Sequence, residues 1–368
     1  MNRIGFVINP IAGMGGAVGL KGTDGMAEEA LARGAAPRAA GRAAEALRAL
    51  APYAAPLTIL TCGGAMGSDA LSGAGIAHKV AYHPSDTTSA GDTMAACRAF
   101  CAAGVEAIVF CGGDGTARDI ASVVGATVPI LGIPSGVKMY SDVFALTPRA
   151  AADVVAGLAD GTTCTRDASV MDIDEGKYRH GELDRTCYAE VRALSLPAKV
   201  QAPKCAFRSE SDDVSKHDIA RFASEFMQDG SLYIVGVGST TQAVLASAGI
   251  EGTLLGVDLV QGGRLVCRDA TEQDILQAMQ AVASVKILVS PLGAQGFVFG
   301  RGNHQISPAV IRRVGRDNII LLGTPHKLQN TPQFYVDTGD TTLDRDLSGF
   351  MSVVCGYHLA ARKAVCAG

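Results

Sequence analysis

Residues 107–116 of the chain read AIVFCGGDGT. The first five are apolar and predict a buried strand, and the glycines that follow predict a tight turn. The turn opens a predicted helix that runs to about residue 124, and residues 128–132 (VPILG) predict the next strand. A strand, a short turn, a helix and a second strand make the repeating unit of an α/β fold with a parallel sheet.

The same alternation extends from this segment toward the N-terminus. Residues 4–8 (IGFVI) predict a first buried strand, which ends at Asn9 and a glycine-rich loop. Further strands are predicted at 57–61 and 79–82, each followed by a helix or a turn. Together these elements predict a doubly wound, Rossmann-like three-layer domain over residues 1–145, which would bind a nucleotide.

The second half of the chain has more β character. Residues 163–175 and 186–200 alternate as half-exposed strands do, and an α/β pattern returns between about 271 and 322. We therefore predict a β-rich substrate domain with an α/β segment over residues 146–335. The C-terminal segment, 336–368, is predicted to return to the first domain.

The composition excludes several classes of protein. The chain has 368 residues, a net charge of −4 and 48% hydrophobic residues, so it can bury a large core and lacks the basic excess of a nucleic-acid binder. No apolar run is long enough to span a membrane. None of the ten cysteines forms the C-x-x-C pair typical of zinc sites. We expect a cytoplasmic protein with free thiols that has no metal site of its own.

The turn Gly112-Gly113-Asp114-Gly115-Thr116 carries the clearest chemical signal. Glycines let a ligand approach the backbone, and a helix N-terminus offers N–H groups and the positive end of a dipole, which suits phosphate. An aspartate does not itself attract phosphate, so Asp114 would help to hold Mg²⁺ or accept a proton from an attacking hydroxyl. The alternative is a glycine-rich turn in which Asp114 only caps the helix.

Several motifs resemble the NAD kinase and diacylglycerol kinase superfamily. GGDGT at 112–116 is its shared signature, and NPIAGMGG at 9–16 resembles the first loop of the lipid-kinase branch. Residues 229–249, with Asp229-Gly230 followed by Gly238-Ser239-Thr240 and then SAG, resemble the NAD-kinase pattern. The whole chain looks like the polyphosphate/ATP-NAD kinase subgroup, which implies a fold of the NAD-kinase type.

The resemblance also implies a reaction, in which ATP or polyphosphate phosphorylates the 2′-hydroxyl of the adenosine ribose of NAD. Mg²⁺ would act with ATP, and the enzyme would form a homo-oligomer. Asp114 would be the catalytic residue, and Gly238, Ser239 and Thr240 would bind the substrate. The residues expected to bind the nucleotide phosphates are Asn9, Gly112, Gly113, Gly115, Thr116 and Lys138.

Some of these assignments have structural alternatives. A solvated surface lysine is an equally simple interpretation of Lys138, and capping of the next helix is an alternative role for Ser239 and Thr240. Asp258, Arg301, Asp337 and Asp340 are weaker candidates, for which a salt bridge or an Asx turn is the simpler explanation.

The chain also departs from the family pattern. Thr241-Gln242 stand where NAD kinases have Ala-Tyr, and residues 165–215 contain no clear Asn-Glu or Asn-Asp pair for the substrate ribose. Two other functions therefore stay open: a kinase acting on a lipid or another small alcohol, and a non-catalytic nucleotide-binding protein.

Overall fold

The structure is a computed structural model that describes residues 2–13, 32, 37–85, 87–135, 139–173, 185–196, 210–292 and 296–368. The chain divides into two compact units. The first holds the described residues up to 196, and the second holds those from 210 onward.

The first unit alternates strands and helices as the sequence predicts. Its strands are β1 (Arg3–Ile8), β2 (Thr58–Cys62), β3 (Lys79–Tyr82), β4 (Ala107–Gly112), β5 (Ile130–Pro134), β6 (Cys164–Ile173) and β7 (Arg185–Ser195). Its helices are α1 (Ala39–Leu50), α2 (Ser68–Gly73), α3 (Ala90–Ala102), α4 (Asp114–Val124) and α5 (Pro148–Asp160).

The strands of the first unit form one twisted layer in the order β3-β2-β1-β4-β5-β7-β6. All neighbouring pairs are parallel except β6 with β7. Side chains alternate between the two faces of the sheet: on β4, Val109 packs with α1 and α5, whereas Phe110 packs with α3 and α4. Full burial of a side chain such as Phe110 stabilises the fold by about 1.5–3 kcal/mol. The predicted three-layer α/β domain is confirmed.

The first unit extends beyond the boundary that the sequence suggests. We placed the end of the first domain at residue 145, but β6 and β7 continue the first sheet to Ser195. The reason is that Ala193 on β7 pairs with Ile130 on β5, and β6 then pairs with β7 in a long antiparallel hairpin. The alternating pattern that we interpreted as a new domain belongs to the exposed edge of the same sheet.

The second unit is also an α/β structure. Its strands are β8 (Leu232–Val235), β9 (Asp258–Gln261), β10 (Arg264–Cys267), β11 (Val285–Val289), β12 (Phe297–Phe299), β13 (Ile319–Leu322), β14 (Phe334–Val336), β15 (Gly349–Gly356) and β16 (Leu359–Ala367). Its helices are α6 (Glu210–Phe226), α7 (Ser239–Ser247), α8 (Glu272–Ala278), α9 (Pro308–Val314), α10 (Pro325–Asn330) and α11 (Thr341–Leu347).

A parallel core lies at the centre of the second sheet, whose order is β10-β9-β8-β11-β13-β15-β16-β14-β12. Strands β8, β11, β13 and β15 run parallel to their neighbours in this core. Apolar residues of α8, α9 and α11 cover one face, and those of α6 and α7 cover the other. The second unit therefore has a carboxyl edge at which parallel strands end side by side.

The C-terminal segment does not return to the first sheet. We predicted that residues 336–368 pack on the first domain, but β15 pairs with β13, and β16 joins β15 to β14 in the second sheet. The β15–β16 hairpin brings its own apolar face, including Val353 and Val365, to the core of that sheet. Among the described residues, no helix has the length and apolarity that crossing a membrane requires.

Candidate functional site

The turn between β4 and α4 is shaped by a close contact behind it. A Cβ atom on Gly112 would lie 2.5 Å from Oγ1 of Thr116, so only glycine lets the first turn of the helix come this near to the strand. Gly113 is the N-cap residue, with no side-chain cap, and a Cβ atom there would meet nothing within 4 Å. Gly115 lies in the first turn of α4. The helix therefore presents N–H groups behind an open position at Gly113, as phosphate binding requires.

Asp114 does not cap its own helix. It is the first residue of α4, and its two carboxylate oxygens accept hydrogen bonds from backbone N–H groups across the turn: Oδ2 from Tyr140 at 2.7 Å and Oδ1 from Ser141 at 2.9 Å. Ser141 is in turn fixed to β6, since its Oγ accepts a bond from the N–H of Met171 at 3.0 Å. These two bonds orient the carboxylate toward the segment at 140–141.

Asn9 lies beside this turn because β1 and β4 are parallel neighbours. Its backbone N–H donates to the carbonyl of Cys111 at 2.9 Å, and its side-chain Nδ2 donates to Oγ1 of Thr116 at 3.0 Å. Thr116 is buried. The structure thus brings Asn9 together with Gly112, Gly113 and Thr116 at the carboxyl edge of the first sheet, where open α/β sheets bind their ligands.

Two other residues, Cys111 and Lys138, bear on the chemistry expected of this turn. Cys111 precedes Gly112, but burial raises the pKa of its thiol to about 12, so it is not a nucleophile at neutral pH. Lys138, which we predicted as a phosphate-binding residue, lies outside the described residues.

The predicted substrate residues Gly238, Ser239 and Thr240 start α7 in the second unit. Gly238 is its N-cap residue, with φ of +131°, and no side chain caps the helix. Capping is therefore not the role of Ser239 or Thr240. Thr240 is 1% exposed, and its Oγ1 has no hydrogen-bond partner among the described residues. The neighbouring hydroxyl of Thr241 does have one, since it donates to the Gly238 carbonyl at 2.9 Å.

Two of the weaker candidates have evident structural contacts. The buried carboxylate of Asp258 accepts bonds from the N–H of Thr253 at 2.6 Å, the hydroxyl of Thr253 at 2.9 Å and the N–H of Asp269 at 2.9 Å. It therefore holds a loop together. The guanidinium of Arg301 is buried and lies 4.2 Å from the ring centre of Phe297, an attractive cation–π contact.

The other two belong to the start of α11. Asp340 is the N-cap residue: its carboxylate accepts a bond from the N–H of Leu343 at 3.0 Å and pairs with Arg312 at 2.7 Å. The hydrogen bond from Leu343 is the larger cause, and together with the Arg312 contact it holds the pKa of Asp340 below its ordinary value. Asp337 is buried, and its N–H donates to the carbonyl of Phe299 at 3.2 Å. The cap accounts for Asp340 without a metal.

Sequence reasoning missed several polar residues of interest. The partners of Asp114, Tyr140 and Ser141, act through backbone N–H groups, which no side-chain motif reveals. In the second unit, Oδ1 of Asn303 and Oε1 of Gln305 are buried with no hydrogen-bond partner among the described residues. Lys327 has a partly buried position after β13, and the available signal was its place in a Thr-Pro helix start directly after a strand.

The described residues form no metal cage. Among them, no group of three His, Cys, Asp or Glu side chains is placed to hold a metal ion. This donor set fits a Mg²⁺ ion that arrives with a nucleotide, because Mg²⁺ keeps several waters and is usually held by phosphates with one or two carboxylates. Asp114 is the carboxylate of the glycine-rich turn that would take this part.

Comparison with known protein families assigns both units. Residues 4–163 match the model of the ATP-NAD kinase N-terminal domain, and residues 228–362 match that of the ATP-NAD kinase C-terminal domain. Neither a curated protein nor a solved structure matches the chain.

Proposed function

The chain belongs to the ATP-NAD kinase family, and from this premise we propose that it transfers a phosphoryl group from ATP or polyphosphate to the 2′-hydroxyl of the adenosine ribose of NAD, giving NADP. The observation that best supports a phosphoryl transfer is the pairing of an oriented carboxylate, Asp114, with an uncapped helix N-terminus in one turn. Catalysis of this reaction consists mainly of positioning the groups and stabilising charge.

The phosphates of the donor would lie against the turn at Gly113. Backbone N–H groups of the first turn of α4 would bind their oxygens, because these groups have no partner within the helix. Asn9 holds the hydroxyl of Thr116 in place through its 3.0 Å bond. The Thr116 hydroxyl can then donate its own hydrogen to a phosphate oxygen. Lys138 remains a proposed contributor of positive charge.

Asp114 would act as the general base. As the 2′-oxygen forms its bond to the γ-phosphorus and the bond from that phosphorus to the bridging oxygen breaks, the proton of the hydroxyl passes to the Asp114 carboxylate. The N–H groups of Tyr140 and Ser141 fix the direction of the carboxylate during this step. Bound Mg²⁺ would supply charge neutralisation on the phosphates.

The substrate would bind through Gly238, Ser239 and Thr240. Support for this assignment comes from the buried Thr240 hydroxyl, which lacks a partner among the described residues at the open end of α7. A ligand that bonds to this hydroxyl would relieve the cost of its burial, which is about 1–3 kcal/mol. The proposal retains two expectations from the sequence, a cytoplasmic location and a homo-oligomer.

The test is NADP formation from NAD, first with ATP and Mg²⁺ and then with polyphosphate, in the wild type and in Asp114→Asn. We expect the variant to lose about 10²–10⁴-fold in kcat, the usual contribution of a general base. The asparagine also places an NH₂ group against one of two backbone N–H donors, so unfolding must be measured in parallel.

Asp340→Asn is the matched control, because Asp340 also holds backbone N–H groups with one carboxylate. It is expected to affect stability and to leave turnover unchanged. A wild-type chain that binds ATP but makes no NADP from either donor would exclude NAD kinase activity and leave the other alcohols, or a binding role, to be screened.

A further inference from the structure

Two arginines of the first unit lie where the proposed function requires positive charge. The phosphate chain of a donor is strongly negative, and Asp114 adds a further negative charge at the turn. Lys138, the cation predicted from the sequence, lies outside the described residues. Among the residues that the structure describes, Arg38 and Arg42 lie at the start of α1, which packs against β4 and β5. Their contacts lead to the turn itself.

Arg42 is joined to the end of β4 by a short series of contacts. Its Nε donates to the carbonyl of Pro134 at 3.2 Å, and Pro134 pairs with Gly112, the first residue of the turn. The thiol of Cys111, directly before Gly112, donates to the carbonyl of Ala39 at 3.3 Å. Burial raises the pKa of this thiol and the charge of Arg42 opposes that rise, so the guanidinium lies within electrostatic range of the strand end. The start of α1 therefore lies over the point at which β4 ends.

Arg38 lies beside the loop that follows β1. A Cβ atom on Gly13 would lie 2.0 Å from the carbonyl oxygen of Ser135 and 3.6 Å from Cβ of Arg38. The N–H of Ser135 in turn donates to the carbonyl of Gly112 at 3.2 Å. Arg38 precedes Arg42 by four residues and has helical φ and ψ, which places both side chains on one face of α1. The two arginines thus border the same edge of the sheet as the turn.

Both arginines reach solvent and carry a net positive charge. The Arg42 side chain is 16% exposed, and Arg38 is half-buried. Glu45 pairs with Arg42 at 3.2 Å, so these three groups hold two positive charges and one negative charge. A guanidinium stays protonated at neutral pH, and its planar fork of N–H donors matches the oxygens of a phosphate. The start of α1 is therefore suited to an anionic ligand at this edge.

We propose that Arg42 and Arg38 bind the phosphate chain of the phosphoryl donor. The first turn of α4 would hold the chain from one face of the sheet, and the arginines of α1 would hold it from the opposite face. Their ligand is the anhydride chain that ATP and polyphosphate share, and their charge would offset that of Asp114. This inference rests on the proposed function in placing the donor at the first turn.

The probes are tripolyphosphate and ATP with Mg²⁺, each titrated calorimetrically into the full chain at pH 7. Arg42→Met is expected to weaken the binding of both by about tenfold or more, as the loss of a charge-assisted contact predicts. Arg48→Met is the matched control, because Arg48 is an exposed arginine in the last turn of the same helix. It should change either affinity less than about twofold.

Arg38→Met tests the site without depending on the bond to Pro134. Arg38 is the N-cap residue of α1, but its side chain makes no cap bond, so the variant should fold. We expect its affinity for tripolyphosphate to fall about threefold. Salt separates binding from a structural role: the losses in both arginine variants should shrink between about 0.05 and 0.5 M salt, because screening weakens partly exposed charges. A structural tie would give the same loss at both concentrations, and that result would overturn the proposal.

A double-mutant cycle connects the arginines to the turn. If Arg42 and Gly113 contact one phosphate chain, their effects couple, and Arg42→Met should cost less than about threefold in a Gly113→Val background. An undiminished loss in that background would place the Arg42 contact elsewhere and overturn the proposal. The proposal also fails if Arg38→Met, together with Arg42→Met where it folds, binds both probes as Arg48→Met does.

The two probes distinguish the part of the donor that the arginines contact. Equal losses for tripolyphosphate and ATP would assign Arg42 to the anhydride chain, as proposed. A loss confined to ATP would place it on the nucleoside and overturn the proposal. Failure of the proposed function looks different: a chain that makes no NADP but binds tripolyphosphate through Arg42 loses the NAD kinase assignment and keeps the phosphate site.

Discussion

The adjacent glycines Gly112 and Gly113 separate the two things that the first turn must do, which are to pack and to bind. A Cβ atom on Gly112 would lie 2.5 Å from Oγ1 and 2.6 Å from Cβ of Thr116, distances that real structures do not tolerate. Gly112→Ala must therefore displace the Thr116 side chain and break its 3.0 Å bond from Asn9. Overpacking of this kind costs about 1–3 kcal/mol, and the lost bond adds about 0.5–1.5 kcal/mol.

Gly113→Val should behave in the opposite way. The Cβ position meets nothing within 4 Å, and φ of −117° is ordinary for any residue. Gly113 is the N-cap residue and valine is a poorer cap than glycine, so the free energy of unfolding should fall by at most about 1 kcal/mol. A branched side chain at that position fills the space in front of the helix N–H groups, so ATP affinity should fall at least tenfold.

The assay is denaturant unfolding of both variants alongside calorimetric ATP binding. We expect Gly112→Ala to lose about 1.5–4.5 kcal/mol of stability, the sum of the two costs. Gly113→Val should lose ATP binding with at most about 1 kcal/mol of stability. If Gly113→Val binds ATP like the wild type, phosphate does not lie against this turn. If Gly112→Ala is as stable as the wild type, the reasoning from the Thr116 contact fails.

Two predictions concern the stability of the first unit. The hydroxyl of Tyr82 and then the Ser89 side chain and N–H lower the pKa of Asp92 from 3.8 to about 2, so its stabilising contribution is present above pH 4 and is lost as the pH falls from about 4 to 2. Asp92→Asn should therefore cost about 1–2 kcal/mol of capping at pH 7 and almost nothing at pH 2, and a stability difference that persists at pH 2 would contradict this. Gly132→Ala should destabilise by about 1–3 kcal/mol, because its Cβ would lie 2.2 Å from the Phe144 ring. A Phe144→Leu change in the same chain should restore part of that loss in unfolding experiments, and no recovery would mean that Phe144 is not the obstacle.

Much of the fold follows from local sequence. The apolar runs at 4–8 and 107–111 became β1 and β4, and the carboxyl-edge rule alone predicts that Asn9 lies near the GGDGT turn. The domain boundary did not follow, because the Ala193–Ile130 pairing that attaches β7 to β5 joins residues 63 positions apart, and no local pattern encodes which strand a hairpin joins. The C-terminal β15–β16 hairpin was misplaced for the same reason.

The residues of the candidate site also differ in whether local sequence could predict them. Residue types and spacing singled out Asp114, and they placed Gly238 to Thr240 at a helix start, which α7 confirms. They could not reveal Arg42, because its significance comes from its contact with Pro134, which follows it by 92 residues. Such an arginine differs from a surface arginine only through tertiary structure.

Asp114 carries a negative charge in the turn that we propose to bind phosphate. That charge would repel the phosphate unless it were offset. Two backbone N–H groups, from Tyr140 and Ser141, point at its oxygens, and the N-terminal end of the α4 dipole lies beneath it. These dipoles stabilise the negative charge of the carboxylate. The same two bonds make the segment at 140–141 depend on Asp114, so any ligand that draws on the carboxylate also acts on the loop that the carboxylate holds.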